Sequence, residues 1–293
     1  MNILLTGATG FLGSNLLAAL VGDGHKVTVI IRQTSVLNRI DQLMDRIAIH
    51  TLGEYSALEN LFSTNNFDVI IHCATNYGRG QVDSTELLNA NLILPLQLLQ
   101  AGSRAGVHCF INTDTILDKG ISNYALSKSQ FREWLITHAS KMICMNVALE
   151  HFYGPLDDPT KFVSFIVKQL LDKVDGIDLT KGEQKRDFIY IDDVIKAFQS
   201  ILINFELLEN GYYSYEIGSG QNSTIRDFVQ LAKKISGNTE THLNFGAVPY
   251  RENEAMQTTV DLTEISALGW TPHFSLEEGL SKMISLEQEL RTK

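Results

Sequence analysis

The chain opens on an apolar run, Ile3-Leu4-Leu5, followed by Thr6-Gly7-Ala8-Thr9-Gly10-Phe11-Leu12-Gly13 and then by a helical pattern over residues 14–20. Strand, glycine turn and helix in that order begin a βαβ unit and place a dinucleotide-phosphate site at the turn. Gly7 permits the tight turn, Gly10 lets backbone approach a pyrophosphate, and Gly13 lets the helix pack closely on the sheet. The helix N-terminus then presents free N–H groups and a positive dipole end to the phosphates. The spacing is G-x-x-G-x-x-G, so the flanking strand and helix carry the assignment as much as the glycines do.

Apolar runs at 27–31, 47–50, 68–74, 108–112 and 142–147 read as strands, with helical patterns at 56–62, 87–105 and 125–138 between them. That alternation predicts an α/β fold, a Rossmann doubly wound parallel sheet. Pro95 inside the second helix kinks or divides it. After about residue 150 the rhythm changes. Residues 1–150 are expected to form the dinucleotide-binding domain, with a strand contribution from about 187–200. Residues 151–293 are expected to form a smaller mixed α/β C-terminal substrate lobe.

The formal net charge of −10 argues against nucleic acid and acidic membrane surfaces as partners. Anionic ligands then need local cations. Cys73, Cys109 and Cys144 lie in or near apolar strands and form no C-x-x-C pair, which points to reduced thiols, no metal site and a cytoplasmic protein. The N-terminus lacks a basic leader region, and no run of about 18 apolar residues suggests a membrane span.

Tyr124 and Lys128 stand one helical turn apart, which puts both on one helix face. A phenol titrates near 10 and is a poor acid or base at neutral pH; an adjacent ammonium is expected to bring it down. Such a pair can protonate a carbonyl oxygen while hydride reaches the carbon. Thr113 or Thr115, at the end of the strand preceding this helix, is expected to hold that oxygen. The second strand ends in Ile31-Arg32-Gln33-Thr34-Ser35, without the acid that would hold a ribose diol. Arg32 can instead pair a 2′-phosphate, so NADP(H) is expected over NAD(H).

The motif order resembles the extended short-chain dehydrogenase/reductases, the nucleotide-sugar epimerase, dehydratase and reductase family. The matching stretches are TGATGFLG, DVIIHCAT, YALSK, FYGP at 152–155, RDFIYIDD at 186–193 and ALGWTP at 267–272. Within that family TNYGR at 75–79, FINTDT at 110–115, LEHFYGP at 149–155 and FGAVPYRENEAM at 245–256 are similar to the CDP-abequose and CDP-paratose synthase group. The resemblance implies NADPH-dependent reduction of a C4 keto group on a dTDP- or CDP-linked 4-keto-6-deoxyhexose, for O-antigen or other cell-surface sugars. A nucleotide-sugar 4-epimerase and a non-catalytic NADP-sensing regulator are the alternatives. It further implies a homodimer built on the helices at 87–105 and 125–138. The expected cofactor contacts are Gly7, Thr9, Gly10, Phe11, Leu12, Arg32, Ala74, Thr75, Asn91, Tyr124 and Lys128. The expected substrate contacts are Tyr77, His151, Lys161, Arg186 and Arg251.

Three departures bear on the reaction. The family's Arg-x-x-Asn is Ala148-Leu149-Glu150-His151 here, so His151 occupies the place of a substrate-contacting Asn. Thr113-Asp114-Thr115 lacks the Glu of the dehydratases, which disfavours water loss. Asp114 is read as polar strand-end packing. The stretch from Thr113 to Tyr124 is short, so a substrate-capping loop is trimmed.

Overall fold

In the computed structural model Ile3, Leu4 and Leu5 are fully buried in β1 (Asn2–Thr6). The structure describes residues 1–53, 55–80, 83–251 and 253–292; Glu252, inside the 245–256 motif, lies outside the described residues. The further strands are β2 (Lys26–Ile31), β3 (Ala48–Thr51), β4 (Val69–His72), β5 (Cys109–Thr115), β6 (Ile143–Leu149), β7 (His151–Tyr153), β8 (Gly176–Leu179), β9 (Lys185–Tyr190), β10 (Gly211–Ile217), β11 (Asn222–Thr224) and β12 (His242–Phe245). The chain divides into two compact units, Met1–Ala148 with Phe198–Tyr215, and Leu149–Ala197 with Glu216–Lys293.

The first unit is built on a seven-stranded sheet in the order β10-β6-β5-β4-β1-β2-β3. β1 pairs in parallel with β2 on one side and β4 on the other, and β4 pairs in parallel with β5. The strand order therefore reverses at β1, the switch point where doubly wound sheets bind ligands. Every residue of β4, β5 and β6 is buried, which explains why β4 and the starts of β5 and β6 read as apolar runs rather than alternating ones, while the carboxyl half of β5 is buried but polar. Helices α1 (Phe11–Gly22), α2 (Tyr55–Thr64), α3 (Ser84–Leu88), α4 (Leu94–Ala105) and α5 (Asn123–His138) complete the expected alternation. On one side of the sheet Leu4, Ile70 and Phe110 meet Leu98 and Leu99 of α4 and Phe131 and Leu135 of α5. The Phe110 and Phe131 rings lie 5.9 Å apart.

The helix expected over 87–105 is divided. A π-helical turn, Asn89–Ile93, separates α3 from α4. Pro95 sits in the first turn of α4, directly after the π turn, where the Leu94 N–H reaches back five residues to the Asn89 carbonyl.

The second unit carries a three-stranded sheet, β11-β9-β7, and a two-stranded one, β12-β8. Its helices include α6 (Phe162–Leu171), α7 (Ile191–Asn204, which ends in the first unit), α8 (Ile225–Ile235), α9 (Thr263–Ala267) and α10 (Leu276–Arg291). Phe188 of β9 stacks on Phe228 of α8 at 4.3 Å, with Phe162 of α6 at 5.6 Å from Phe228. α10 opens on a capping box between Ser275 and Glu278. The contribution expected from 187–200 is corrected here. Phe188, Ile189 and Tyr190 pair in register with His151, Phe152 and Tyr153, inside the second unit. The segment returning to the first unit is 198–215, and β10 is the strand it brings. Among the described residues no helix is long and apolar enough to cross a membrane.

Candidate active site

β1 leads straight into Gly7, which holds φ at +72°. A Cβ there would lie 2.5 Å from the Ala74 nitrogen and 2.6 Å from the Cys73 carbonyl carbon. Gly7 therefore supplies both a left-handed turn and clearance for the chain leaving β4. A Cβ on Gly13 would strike the Gly7 carbonyl, so the third glycine clears the turn itself, where the sequence reading has it clearing the sheet. Gly10 is exposed at the N-cap of α1, and its own Cβ would meet only the Gly7 oxygen, at 3.3 Å.

The Thr6 hydroxyl bonds His72 Nδ1 at 2.8 Å and accepts the Ala74 N–H at 3.2 Å. That ties Ala74 and Thr75 beside the turn. Thr9 is half-buried in the turn, and the Phe11 and Leu12 side chains are buried beneath it. Among the described residues no side chain caps α1, and its first turn holds no acid. Such an end attracts phosphate. Arg32 lies exposed just past β2, its N–H donating to Ser35 Oγ at 2.9 Å. The Arg39 guanidinium sits 5.8 Å from the Phe11 ring centre, a second cation at this end that the sequence reading missed.

The carboxyl end of β5 sets out the acid–base groups. Thr113 and Thr115 share one face by strand alternation, but their hydroxyls differ. Thr113 Oγ1 donates to the His72 carbonyl at 3.0 Å. Thr115 and Thr75 lie beside the Tyr124 side chain, where their hydroxyls favour its ionised form. The Tyr77 ring lies 5.2 Å from the Tyr124 ring. Burial, then the neighbouring Tyr77 and Asp114, push the Tyr124 phenol above its ordinary value, against the pull of the two threonines. The expectation that Lys128 brings the phenol down is thus not met, because desolvation outweighs the local favourable contacts. At neutral pH Tyr124 is a protonated phenol, a donor.

Lys128 is almost wholly buried, and its Nζ has no hydrogen-bond partner among the described residues. Burial pulls its pKa below the usual lysine range, Asp114 and Cys73 push it back up, and Arg132 pulls it down. An unsatisfied buried ammonium is costly unless something completes its bonding, and a ribose diol is a fitting group. Together with the clearance at Gly7 and Gly13 and the uncapped α1, it shows that the residues present fit a dinucleotide.

Asn91, fully buried in the π turn, accepts from Thr75 Oγ1 at 3.2 Å and the Asn76 N–H at 2.8 Å. Its amide donates to the Asn76 carbonyl at 2.8 Å and to Ser127 Oγ at 3.0 Å. Ser127 in turn donates to the Tyr124 carbonyl at 2.8 Å. Asn91 therefore links the loop after β4 to α5 with its amide group engaged inside the protein. Asp114 is fully engaged as well. It accepts the Thr115 N–H at 2.7 Å, and Arg132 Nε and Nη2 at 2.8 and 2.7 Å. Arg132 was absent from the expected site, although its place four residues after Lys128 puts it on the same face of α5.

Of the expected substrate residues, Tyr77 belongs to the first unit and lies beside Tyr124, with the Arg79 guanidinium 5.3 Å from its ring centre. The other four lie in the second unit. Arg186 is buried and bonds Glu254 at 2.5 Å and the Lys185 carbonyl at 2.7 Å. Burial lowers its pKa, while Glu254 and Glu150 support its charge. Arg251 is exposed and acts electrostatically on Arg186. His151 Nδ1 meets Glu150 Oε2 at 2.8 Å, and Glu150 Oε1 is buried without a partner among the described residues. Lys161 pairs with Asp157 at 3.0 Å and lies 4.6 Å above the Phe152 ring, a tie within its own loop. Asp187 accepts the Ser219 and Gly220 N–H groups, both at 2.7 Å, and Asp193 accepts the Phe274 N–H at 2.9 Å. Both acids hold loops.

A glycine cradle at the switch point of a Rossmann sheet, with a Tyr–Lys couple on the helix after β5, is the layout of short-chain dehydrogenase/reductase enzymes. The chain belongs to the NAD dependent epimerase/dehydratase family, whose profile matches residues 3–218. It is 32% identical to a CDP-abequose synthase of Salmonella muenchen, over 98% of each chain. Its fold is similar to the UDP-glucose 4-epimerase of Thermotoga maritima solved with UDP-glucose, at a TM-score of 0.88 and 23% identity over 100% of both chains. The Thermus thermophilus UDP-glucose 4-epimerase solved with NAD matches at a TM-score of 0.84 and 21% identity, over 98% of this chain and 99% of that one. A nicotinamide dinucleotide is the cofactor type and nucleotide-sugar modification the reaction type.

Proposed function

We propose that this enzyme uses NADPH to reduce the C4 keto group of a dTDP- or CDP-linked 4-keto-6-deoxyhexose. The observation that carries the reading is the likeness to CDP-abequose synthase along nearly the full length of both chains. Bound NADPH supplies hydride to the carbonyl carbon. Tyr124, kept protonated by burial, donates its proton to the carbonyl oxygen, and Thr115 orients the phenol and that oxygen. Lys128 holds the nicotinamide ribose and, as a cation, stabilises the phenolate that remains. Thr113, bonded to the His72 carbonyl, supports the strand end. Arg32, in a strand end without acid, favours the 2′-phosphate of NADP(H). Arg186 and Arg251 meet the substrate's diphosphate, and His151 contacts the substrate.

The test is NADPH consumption with a panel of CDP-, dTDP-, GDP- and UDP-linked keto sugars. Turnover is expected with a 4-keto-6-deoxyhexose on CDP or dTDP. Failure of every keto sugar to oxidise NADPH would refute the reading. The free thiols suit a reducing cytoplasm. Exposed Ile93, Leu126 and Trp134, beside and on the helices α4 and α5, support the homodimer. Light scattering that returned a monomer at micromolar concentration would exclude it.

A further inference from the structure

Tyr124, Lys128 and Arg132 recur every four residues and form one stripe on α5. The stripe faces the end of β5. Thr115 meets Tyr124, and the fully buried Asp114 carboxylate receives Arg132 through two N–H groups on one oxygen and the Thr115 N–H on the other. Both carboxylate oxygens are thereby occupied. Asp114 stands where the dehydratase pattern carries an acid, yet here it is tied to a guanidinium.

We infer that the Asp114–Arg132 ion pair is a positioning device for the Tyr124–Lys128 couple, fixing α5 against the end of β5 and taking the Asp114 carboxylate out of proton transfer. The pair also sets the charge around Lys128 with two opposed contributions. Asp114 favours the ammonium, and Arg132 disfavours it. The other groups facing the couple are Cys73, His72 and Tyr77, on β4 and the loop after it. Tyr212 of β10 and Glu133 lie beside the pair itself. Burial pushes the Cys73 thiol up to about 12 and holds His72 neutral, so neither supplies a competing charge at neutral pH. That leaves Asp114 and Arg132 as the charged pair that tunes, on top of burial, how firmly Lys128 keeps its proton.

The inference rests on the reductase reading only for the work Lys128 does. Its test does not need turnover. In protein labelled with carbon-13 lysine, the Lys128 resonance is the one missing from a Lys128→Arg variant, and it is followed through pH. Asp114→Asn removes the favourable charge and should move the titration down by about one unit or more. Arg132→Gln removes the opposing charge and should move it up. Arg132→Lys should restore the parent value, and the double variant should lie between the singles. A purely structural pair would lower thermal stability in both single variants without displacing the titration in opposite directions. The same titration in all variants, or a shift of one sign in both, overturns the inference. Where the single variants shift as stated but no keto sugar is reduced, the inference stands and the reductase reading falls.

Discussion

Gly7→Ala tests whether the turn after β1 is built as described. The native residue holds φ at +72°, and alanine in that region costs about 1–2 kcal/mol. The added methyl would lie 2.5 Å from the Ala74 nitrogen, a contact with backbone that cannot rotate away. Overpacking of that kind costs about 1–3 kcal/mol. The sum is about 2–5 kcal/mol, a large share of the roughly 5–15 kcal/mol that keeps a domain folded. Gly24→Ala is the internal control. It shares the positive angle, at +81°, but nothing lies within 4 Å of its Cβ. It should cost only the conformational part, about 1–2 kcal/mol. Urea unfolding at constant m separates the two variants by their midpoints. NADPH titration of the same proteins should show at least about tenfold weaker binding for Gly7→Ala alone, since the displaced Ala74 backbone borders the phosphate turn; tenfold corresponds to about 1.4 kcal/mol. Equal midpoints for the two variants would show that the close approach of the chain leaving β4 carries no energy, and the account of the cradle would be wrong.

The remaining predictions concern the chemistry. Tyr124→Phe should lower turnover by about 10²–10⁴ with NADPH affinity nearly unchanged, as loss of a general acid requires; a fully active variant would place the donor elsewhere. Thr115→Val should reduce kcat more than Thr113→Val, whose main loss should be stability, by about 1 kcal/mol, because it removes a hydrogen bond to a buried carbonyl. Arg32→Asp should reverse the cofactor preference measured by calorimetry, and equal affinity of the parent for NADPH and NADH would refute the charge argument. Lys128 has a folded-state pKa below its unfolded value, so the unfolded chain binds the extra proton. Stability of the cofactor-free protein should therefore rise with pH from the folded pKa up to the ordinary lysine value. Lys128→Met should abolish turnover while stabilising the free protein by about 1 kcal/mol and flattening that rise.

Much of the first unit is legible in the chain because its signals are local. A strand buried on both faces announces itself as an unbroken apolar run, as in β4, and the Gly7 turn needs only its own neighbours to be recognised. Tyr124 and Lys128 are legible for the same reason: helical periodicity puts them together wherever the helix lies. The choice between Thr113 and Thr115 was not legible. Alternation puts both on one face, and only tertiary contact shows one hydroxyl bonded to the His72 carbonyl and the other placed beside Tyr124. The direction of the Tyr124 shift is not legible, because sequence spacing displays the nearby lysine but not the desolvation. The hydrogen-bond role of Asn91 is not legible either, since its partners are 15, 16 and 36 residues away, beyond any local pattern. The strand at 185–190 is legible as a strand but its unit is not, since an apolar run says nothing about which sheet it joins.

The strand order has a consequence for how the protein comes into being. β1 is synthesised first and gains β2 as its neighbour early, but its other neighbour, β4, leaves the ribosome only after residue 72. Ala74, whose nitrogen Thr6 anchors beside the turn, comes later still. A nascent chain halted near residue 60 would carry every glycine of the fingerprint and have no finished site in which to hold a nucleotide. Dinucleotide capture during translation should therefore begin abruptly, once β4 has docked, and it would time-stamp the moment at which the centre of the sheet closes.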